Sequence, residues 1–238
     1  MRFVREKTIV QLTYLPNLFP VNCYLVEEED GLTLVDAALP NNAKAIMEAA
    51  GRIGKPIARI VLTHAHGDHI GALDGLKRMN PSAQVFISAR DARLLSGDLS
   101  LVEGEPDTPI RGGVPKAGAI RTKPDVLLQD GDRIGSLLAV AAPGHTPGSM
   151  AFLDTRTDAL IAGDAFQTRP GVAVTGQMKL LFPFPAMATW DKRTGLQSAR
   201  RLRDLNPSLL AAGHGSMVKQ PGRAVDGAIA AAERALGE

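Results

Sequence analysis

The stretch His64-Ala65-His66-Gly67-Asp68-His69 puts four metal-ligating side chains into six residues. Residues two apart in an extended segment point the same way, so His64 and His66 can converge on one point. Asp68 and His69 come where the backbone turns and can face a second point nearby. Gly67 permits that turn without a side-chain clash. The chain has only five histidines in 238 residues, and a plain polar loop does not gather three of them beside an aspartate. Ligands also need a rigid mount. Ile57 to Leu62, just upstream, is a short run of branched residues that reads as a strand, and a helix is expected from about Ile70 to Met79.

The other two histidines occupy similar positions. His145 lies in Pro143-Gly144-His145-Thr146-Pro147-Gly148, a loop stiffened by two Pro-Gly pairs after an expected strand, Leu137 to Ala142. His214 lies in Gly213-His214-Gly215 after the strand Leu209 to Ala211. Asp164 ends the run Leu160-Ile161-Ala162-Gly163-Asp164. Each follows a strand, which is where α/β sheets form their sites. Imidazole and carboxylate without thiolate suit zinc, iron or manganese. Five histidines and two aspartates exceed what one tetrahedral ion can use. Two ions sharing one bridging carboxylate would use all seven, so the set points to a two-metal site with ions about 3.5–4 Å apart.

Strand signals come first in the chain: Thr8 to Tyr14 alternates, and Asn22 to Glu28 and Leu32 to Val35 follow. Asn41 can cap a helix whose apolar positions Ala45, Ile46, Ala49, Ala50 and Ile53 recur at three and four, with Gly54 closing it. A strand is expected at Gln84 to Ile87, then a long irregular stretch from Ser96 to Lys123. The second half repeats the plan. Strands are expected at Val126 to Gln129, Leu137 to Ala142, Met150 to Leu153, Leu160 to Ile161 and Leu209 to Ala211. Helices are expected at Asp191 to Leu205 and Gly222 to Leu236, with an irregular stretch from Ala165 to Thr189. Strands alternating with helices predict an α/β fold, and no linker separates two domains, so residues 1–238 read as one domain.

Composition removes several classes. With 27 basic and 25 acidic residues the net charge is +2, which leaves no nucleic-acid footprint. No apolar run reaches the ~18 residues of a membrane helix. The charged N-terminus lacks the apolar core of a secretory signal. The single cysteine, Cys23, forbids an internal disulfide framework, so a cytoplasmic location is expected. Cys23 itself reads as a small buried hydrophobe.

In these motifs the chain resembles the metallo-β-lactamase superfamily. The match runs from Thr63-His64-Ala65-His66-Gly67-Asp68-His69 through Pro143-Gly144-His145-Thr146-Pro147-Gly148 and Gly163-Asp164 to Gly213-His214-Gly215. The strand Leu32 to Asp36 extends it toward the N-terminus. The resemblance implies a four-layer αβ/βα sandwich, two mixed sheets with helices outside. It implies that His64, His66 and His145 hold one ion, that Asp68, His69 and His214 hold the other, and that Asp164 bridges. It also makes Asp36 a carboxylate that orients a ligating histidine from behind. True β-lactamases of this fold are exported and generally lack the bridging aspartate. Glyoxalase II carries an added helical portion, flavodiiron proteins have a glutamate where His66 stands, and nucleic-acid-cleaving members need an inserted domain. The overall likeness is to compact YflN-like, glyoxalase II-like and lactonase-like hydrolases.

The resemblance therefore implies a hydrolase with two divalent ions, zinc first and manganese or iron as alternatives. A metal-bound hydroxide would attack an ester, thioester or lactone of a small molecule, with Asp68 as ligand and proton carrier. Alternatives are a phosphodiesterase or phosphotriesterase, an iron-dependent oxidoreductase, and a non-catalytic metal-binding protein. Phe166, Phe182, Phe184 and Trp190 follow Asp164 closely and are candidates for an apolar substrate wall, with core packing and a subunit interface as competing readings. The expected partner is a small-molecule substrate, with a homodimer as an open option and neither nucleic acid nor membrane involved.

Overall fold

In the computed structural model, which describes residues 1–238, the early strand signals become an antiparallel series. β1 (Arg2–Glu6), β2 (Ile9–Tyr14), β3 (Val21–Glu27) and β4 (Leu32–Val35) pair in that order. β1 escapes the sequence reading because Arg2, Arg5 and Glu6 break its apolar alternation. Helix α1 (Ala43–Ile53) then buries Ala43, Ile46, Ala49 and Ala50 on one face. Gly54 ends it in the left-handed region, its N–H reaching Ala50 and Gly51 carbonyls. The crossover returns the chain parallel, as β5 (Ile57–Val61) beside β4.

The helix expected from Ile70 to Met79 is two short pieces, α2 (Gly67–Ile70) and α3 (Leu73–Met79). The break has a physical cause. The Gly71 N–H bonds the Ala38 carbonyl and the Ala72 N–H bonds the Ala37 carbonyl. A Cβ on Gly71 would stand 2.6 Å from Pro40 atoms, so only glycine lets the backbone approach there. β6 (Gln84–Ser88) continues the parallel series, and Ser88 caps α4 (Ala89–Leu95) by accepting the Asp91 N–H. β7 (Val126–Leu128) completes a seven-stranded mixed sheet ordered β1-β2-β3-β4-β5-β6-β7. These elements make one compact unit, Met1–Asp98 with Gly113–Leu128. Cys23 is fully buried in it, and burial pushes its thiol well above the ordinary range, so it packs as a hydrophobe.

The second unit is Leu99–Gly112 with Gln129–Glu238. Its strands begin with β8 (Arg133–Ile134), β9 (Leu137–Ala141), β10 (Met150–Asp154) and β11 (Ala159–Gly163). The stretch from Ala165 to Thr189 is more ordered than expected. It holds the hairpin of β12 (Phe166–Gln167) and β13 (Ala173–Val174) and the one-turn α5 (Phe184–Met187). α6 (Lys192–Asp204) starts on Asp191, whose side chain accepts the Thr194 N–H. β14 (Leu209–Ala212), β15 (Val218–Lys219) and α7 (Gly222–Leu236) finish the chain. The six-stranded sheet is ordered β15-β14-β11-β10-β9-β8 and is also mixed.

Leu196, Ala199 and Leu202 of α6 and Val225, Ala228, Ile229 and Ala232 of α7 share a core with Val140, Ala151, Leu160 and Leu210 of the sheet. Each fully buried leucine or isoleucine contributes about 1.5–3 kcal/mol by leaving water. The fold is α/β, built from two mixed sheets with helices. No helix is long and apolar enough to cross a membrane.

Strand direction explains where the candidate ligands fall. In the first unit β4 and β5 are parallel, so Asp36 and Thr63–His64 emerge at the same edge. The Asp36 N–H bonds the Val61 carbonyl there. In the second unit β10 is antiparallel to both β9 and β11, and β11 is parallel to β14. β9, β11 and β14 therefore run the same way, and His145, Asp164 and His214 follow their carboxyl ends.

Candidate metal centre

In the first unit His64, His66 and His69 are all buried, with exposures of 0%, 2% and 0%. Ring centroids of His64 and His66 are 4.8 Å apart, and those of His64 and His69 are 4.1 Å apart. Asp68 is a quarter exposed, with an oxygen 3.9 Å from His69 Nε2. The loop is clamped from three sides. Ala65 N–H donates to buried Asp91, Gly67 N–H to the Gly113 carbonyl, and Ala37 N–H to the His69 carbonyl.

Asp36 organises this unit's candidate ligands. It adopts a left-handed backbone, φ 64°, which aspartate tolerates better than most residues. One oxygen accepts the Thr63 N–H at 2.8 Å. The other accepts the Thr63 hydroxyl at 2.8 Å and the Nδ1 of His69 at 2.7 Å. A carboxylate only accepts, so His69 carries its proton on Nδ1 and presents a lone pair at Nε2. The Thr63 hydroxyl proton is committed to Asp36. The 2.9 Å contact between Thr63 Oγ1 and His64 Nδ1 must then be donated by His64. Its Nε2 is a lone pair too.

The second unit repeats the device with different residues. Thr189 donates its hydroxyl to the Pro185 carbonyl at 2.8 Å. The 2.8 Å contact between the Thr175 and Thr189 hydroxyls is therefore donated by Thr175. With both hydroxyl protons spent, Nδ1 of His145, 3.2 Å from Thr175 Oγ1 and 3.4 Å from Thr189 Oγ1, carries the proton. Its Nε2 is left as a lone pair facing Asp164 Oδ2 at 3.3 Å. His214 Nε2 stands 3.2 Å from the same oxygen.

A lone pair against a carboxylate oxygen inside a buried pocket is unfavourable unless a metal cation, or a second proton on the imidazole, lies between them. Two donors each about 2.05 Å from a tetrahedral ion are separated by about 3.3 Å, which matches both contacts. The buried donor set thus fits a divalent metal ion. His64 with His66, His64 with His69, and Asp68 with His69 likewise hold ligand atoms within 4.8 Å of each other.

The backbone holds His145 firmly. The Trp190 N–H donates to the His145 carbonyl and the Asp191 N–H to the Gly144 carbonyl. Gly144, φ 137°, lies so close to Gly195 that a Cβ would be 2.3 Å from the Gly195 Cα, so it cannot carry a side chain without displacing the loop from α6, and a Cβ on Gly195 would stand 2.3 Å from Thr175 Cγ2.

The four aromatic candidates fall in different surroundings. Phe166 belongs to the core cluster of the second unit. Phe182 is buried against the His214 ring at 5.4 Å and the Phe184 ring at 5.5 Å. Phe184 is half exposed. Trp190 is buried, its indole N–H donating to the Thr108 carbonyl at 2.8 Å.

Thr63, Asp91, Thr175 and Thr189 were not singled out from the sequence. Thr63 precedes the histidine cluster and could have been read with it. The others reach their partners across 26, 30 and 44 positions, and no local pattern marks them. The threonine relay makes a direct prediction. Thr189→Val keeps the shape but frees the Thr175 hydroxyl to donate to His145, so zinc affinity should fall by about 10–100-fold. Thr189→Ser should restore it. Chelator competition measures both, and an unchanged affinity in the valine variant would remove the relay.

The comparisons with known proteins agree with this geometry. The family model described as metallo-beta-lactamase superfamily matches residues 16–214. The chain is 56% identical to YobT of Bacillus subtilis, over 98% of this chain and 100% of that protein. It is 30% identical to "Probable metallo-hydrolase YflN" of the same organism, over 82% of this chain and 80% of that one. Among solved structures it resembles TTHA1623 in a di-iron-bound form, at 26% identity and TM-score 0.65, covering 90% of this chain and 96% of that one. With the family model matching residues 16–214 and a relative 30% identical over most of both chains, the chain belongs to the metallo-β-lactamase superfamily.

Proposed function

We propose that the chain is a dinuclear metal-dependent hydrolase that cleaves an ester, thioester or lactone bond of a small molecule in the cytoplasm. In this reading His64, His66 and His145 hold one divalent ion, Asp68, His69 and His214 hold the second, and Asp164 is shared. Family membership supports it, and one observation carries it furthest: hydroxyls and a carboxylate fix the tautomers of His64, His69 and His145 so that each offers its Nε2 lone pair. A scaffold has no need to pre-set three imidazoles in this way.

The bound ions would acidify a water molecule and polarise the carbonyl under attack. The chain's own residues do the rest. Asp68, one of the residues that would hold an ion, would also accept the nucleophile's proton and return it to the leaving oxygen or sulfur. Its partial exposure suits a group that exchanges protons. Asp36 and Thr63 hold the imidazoles of His69 and His64 against rotation. Half-exposed Phe184, whose ring meets that of buried Phe182 at 5.5 Å, offers an apolar surface for an acyl or aryl group.

The test is a substrate panel on zinc-, manganese- and iron-loaded protein. It contains lactones of several chain lengths, thioesters, aryl esters and phosphodiesters, with oxygen uptake followed on the iron form. Chelator-reversible cleavage of a carbonyl substrate supports the reading. Turnover confined to phosphodiesters, oxygen consumption by the iron form, or no turnover of any panel member overturns it.

A further inference from the structure

The second unit contains a cavity of about 440 Å³ whose lining includes none of the candidate metal ligands. Its lining includes Gln177, Lys179 and Lys192 on one side and Ala231, Ala235 and Leu236 of α7 on the other. The volume is in the range of small-molecule sites.

The polar side is preorganised. The turn from Val174 to Gln177 is closed twice, by the Gln177 N–H on the Val174 carbonyl and by the Gln177 side-chain oxygen accepting the Val174 N–H. That leaves the Gln177 amide NH2 as a donor. Gly176 sits at φ 79°, and a Cβ there would stand 2.6 Å from Lys192 Cγ. The missing side chain is therefore what lets the Lys192 stem lie across the turn. Neither Lys179 nor Lys192 forms an ion pair with a carboxylate. The acidic groups toward the end of α7 are engaged elsewhere: Glu233 pairs with Arg200, and Glu238 with Arg200 and Arg193. Two ammonium groups and an amide donor at one pocket, with no acidic partner, attract an anion. Opposite them, alanines leave a hollow that an apolar body fills by displacing water.

We propose that this pocket is a second ligand site, for a small anionic amphiphile whose carboxylate meets Lys179 and Lys192 and whose apolar chain lies on Ala231, Ala235 and Leu236. Thr175 lines the same pocket and also accepts from His145, so an occupant touches the residue that sets a metal ligand's tautomer. The assignment does not depend on which reaction the metal centre performs.

The test uses the full-length, zinc-loaded protein labelled with nitrogen-15 and titrated with octanoate, acetate and octanol. Octanoate should shift the amide signals of Gly176, Gln177, Lys179 and Ala235 saturably, and bind at least about tenfold tighter than either control. The double substitution Lys179→Met and Lys192→Met keeps the stems and removes the charges, and should weaken octanoate by at least about tenfold. Ala235→Phe should fill the hollow and abolish those shifts while leaving the rest of the spectrum in place. Octanoate shifts absent from this turn, binding indifferent to either variant, or acetate binding as tightly as octanoate would each overturn the proposal.

Discussion

Asp68→Asn is expected to lower turnover by about 10²–10⁴-fold, the usual contribution of a positioned proton carrier, while the protein still retains metal. The amide can occupy the same position, a quarter exposed and 3.9 Å from His69 Nε2, but it cannot accept and return a proton. Activity and metal content must be measured on the same preparation. A fall in turnover with metal retained assigns the proton step to Asp68. A fall that merely tracks metal loss reduces Asp68 to a ligand, and unchanged turnover removes it from the chemistry.

Asp164→Asn should act in opposite directions on the two forms of the protein. Without metal, the wild-type carboxylate oxygen faces the Nε2 lone pair of His145 at 3.3 Å. An amide N–H at that position can donate to the lone pair, so the metal-free variant should be more stable by about 0.5–1.5 kcal/mol. With metal, the variant loses the carboxylate that is proposed to be shared between the ions. A tightly bound ion at one hundred times its dissociation constant stabilises the folded state by about 2.7 kcal/mol, and this increment should vanish in the variant. Thermal melts with and without zinc show both effects. A variant less stable without metal, or one that keeps the zinc-induced rise in Tm, contradicts the account of Asp164.

The candidate ligand set is readable from sequence because it is local and chemically distinctive. Four donors within His64 to His69, and single donors just past strands at His145, Asp164 and His214, need only the periodicity of strands to be placed. Within each unit, strand direction explains why the donors fall at one edge. β4 and β5 are parallel, as are β11 and β14, and β9 shares their direction across β10. The supporting residues were not readable, because their partners are distant in sequence. Asp91 reaches Ala65 from a helix whose only local mark is the Ser88 cap. Thr175 and Thr189 meet His145 only because the segment after β11 folds back on the Pro143–Pro147 loop.

The same physics separates the correct element predictions from the missed ones. α1, α6 and α7 carry a clean apolar stripe and were found. The helix expected from Ile70 to Met79 is broken where Gly71 and Ala72 bond the Ala37–Ala38 backbone, a tertiary contact that overrides helical periodicity. The β12–β13 hairpin and α5 are too short to show a period at all. The stretch from Ser96 to Lys123 has neither helix nor strand, as its composition foretold. It is tied down piecemeal: Thr108 accepts from Trp190, and Asp74 accepts the N–H groups of Arg121 and Thr122.

The central claim is that five histidines and two aspartates serve two metal ions in one chain. Its most direct measurement is metal stoichiometry. The protein is stripped with chelator, reloaded with zinc, freed of excess by dialysis and assayed by elemental analysis against protein concentration. The account predicts two ions per chain, falling in each single histidine-to-alanine variant. One ion per chain, none, or a histidine whose loss leaves the stoichiometry at two would contradict it.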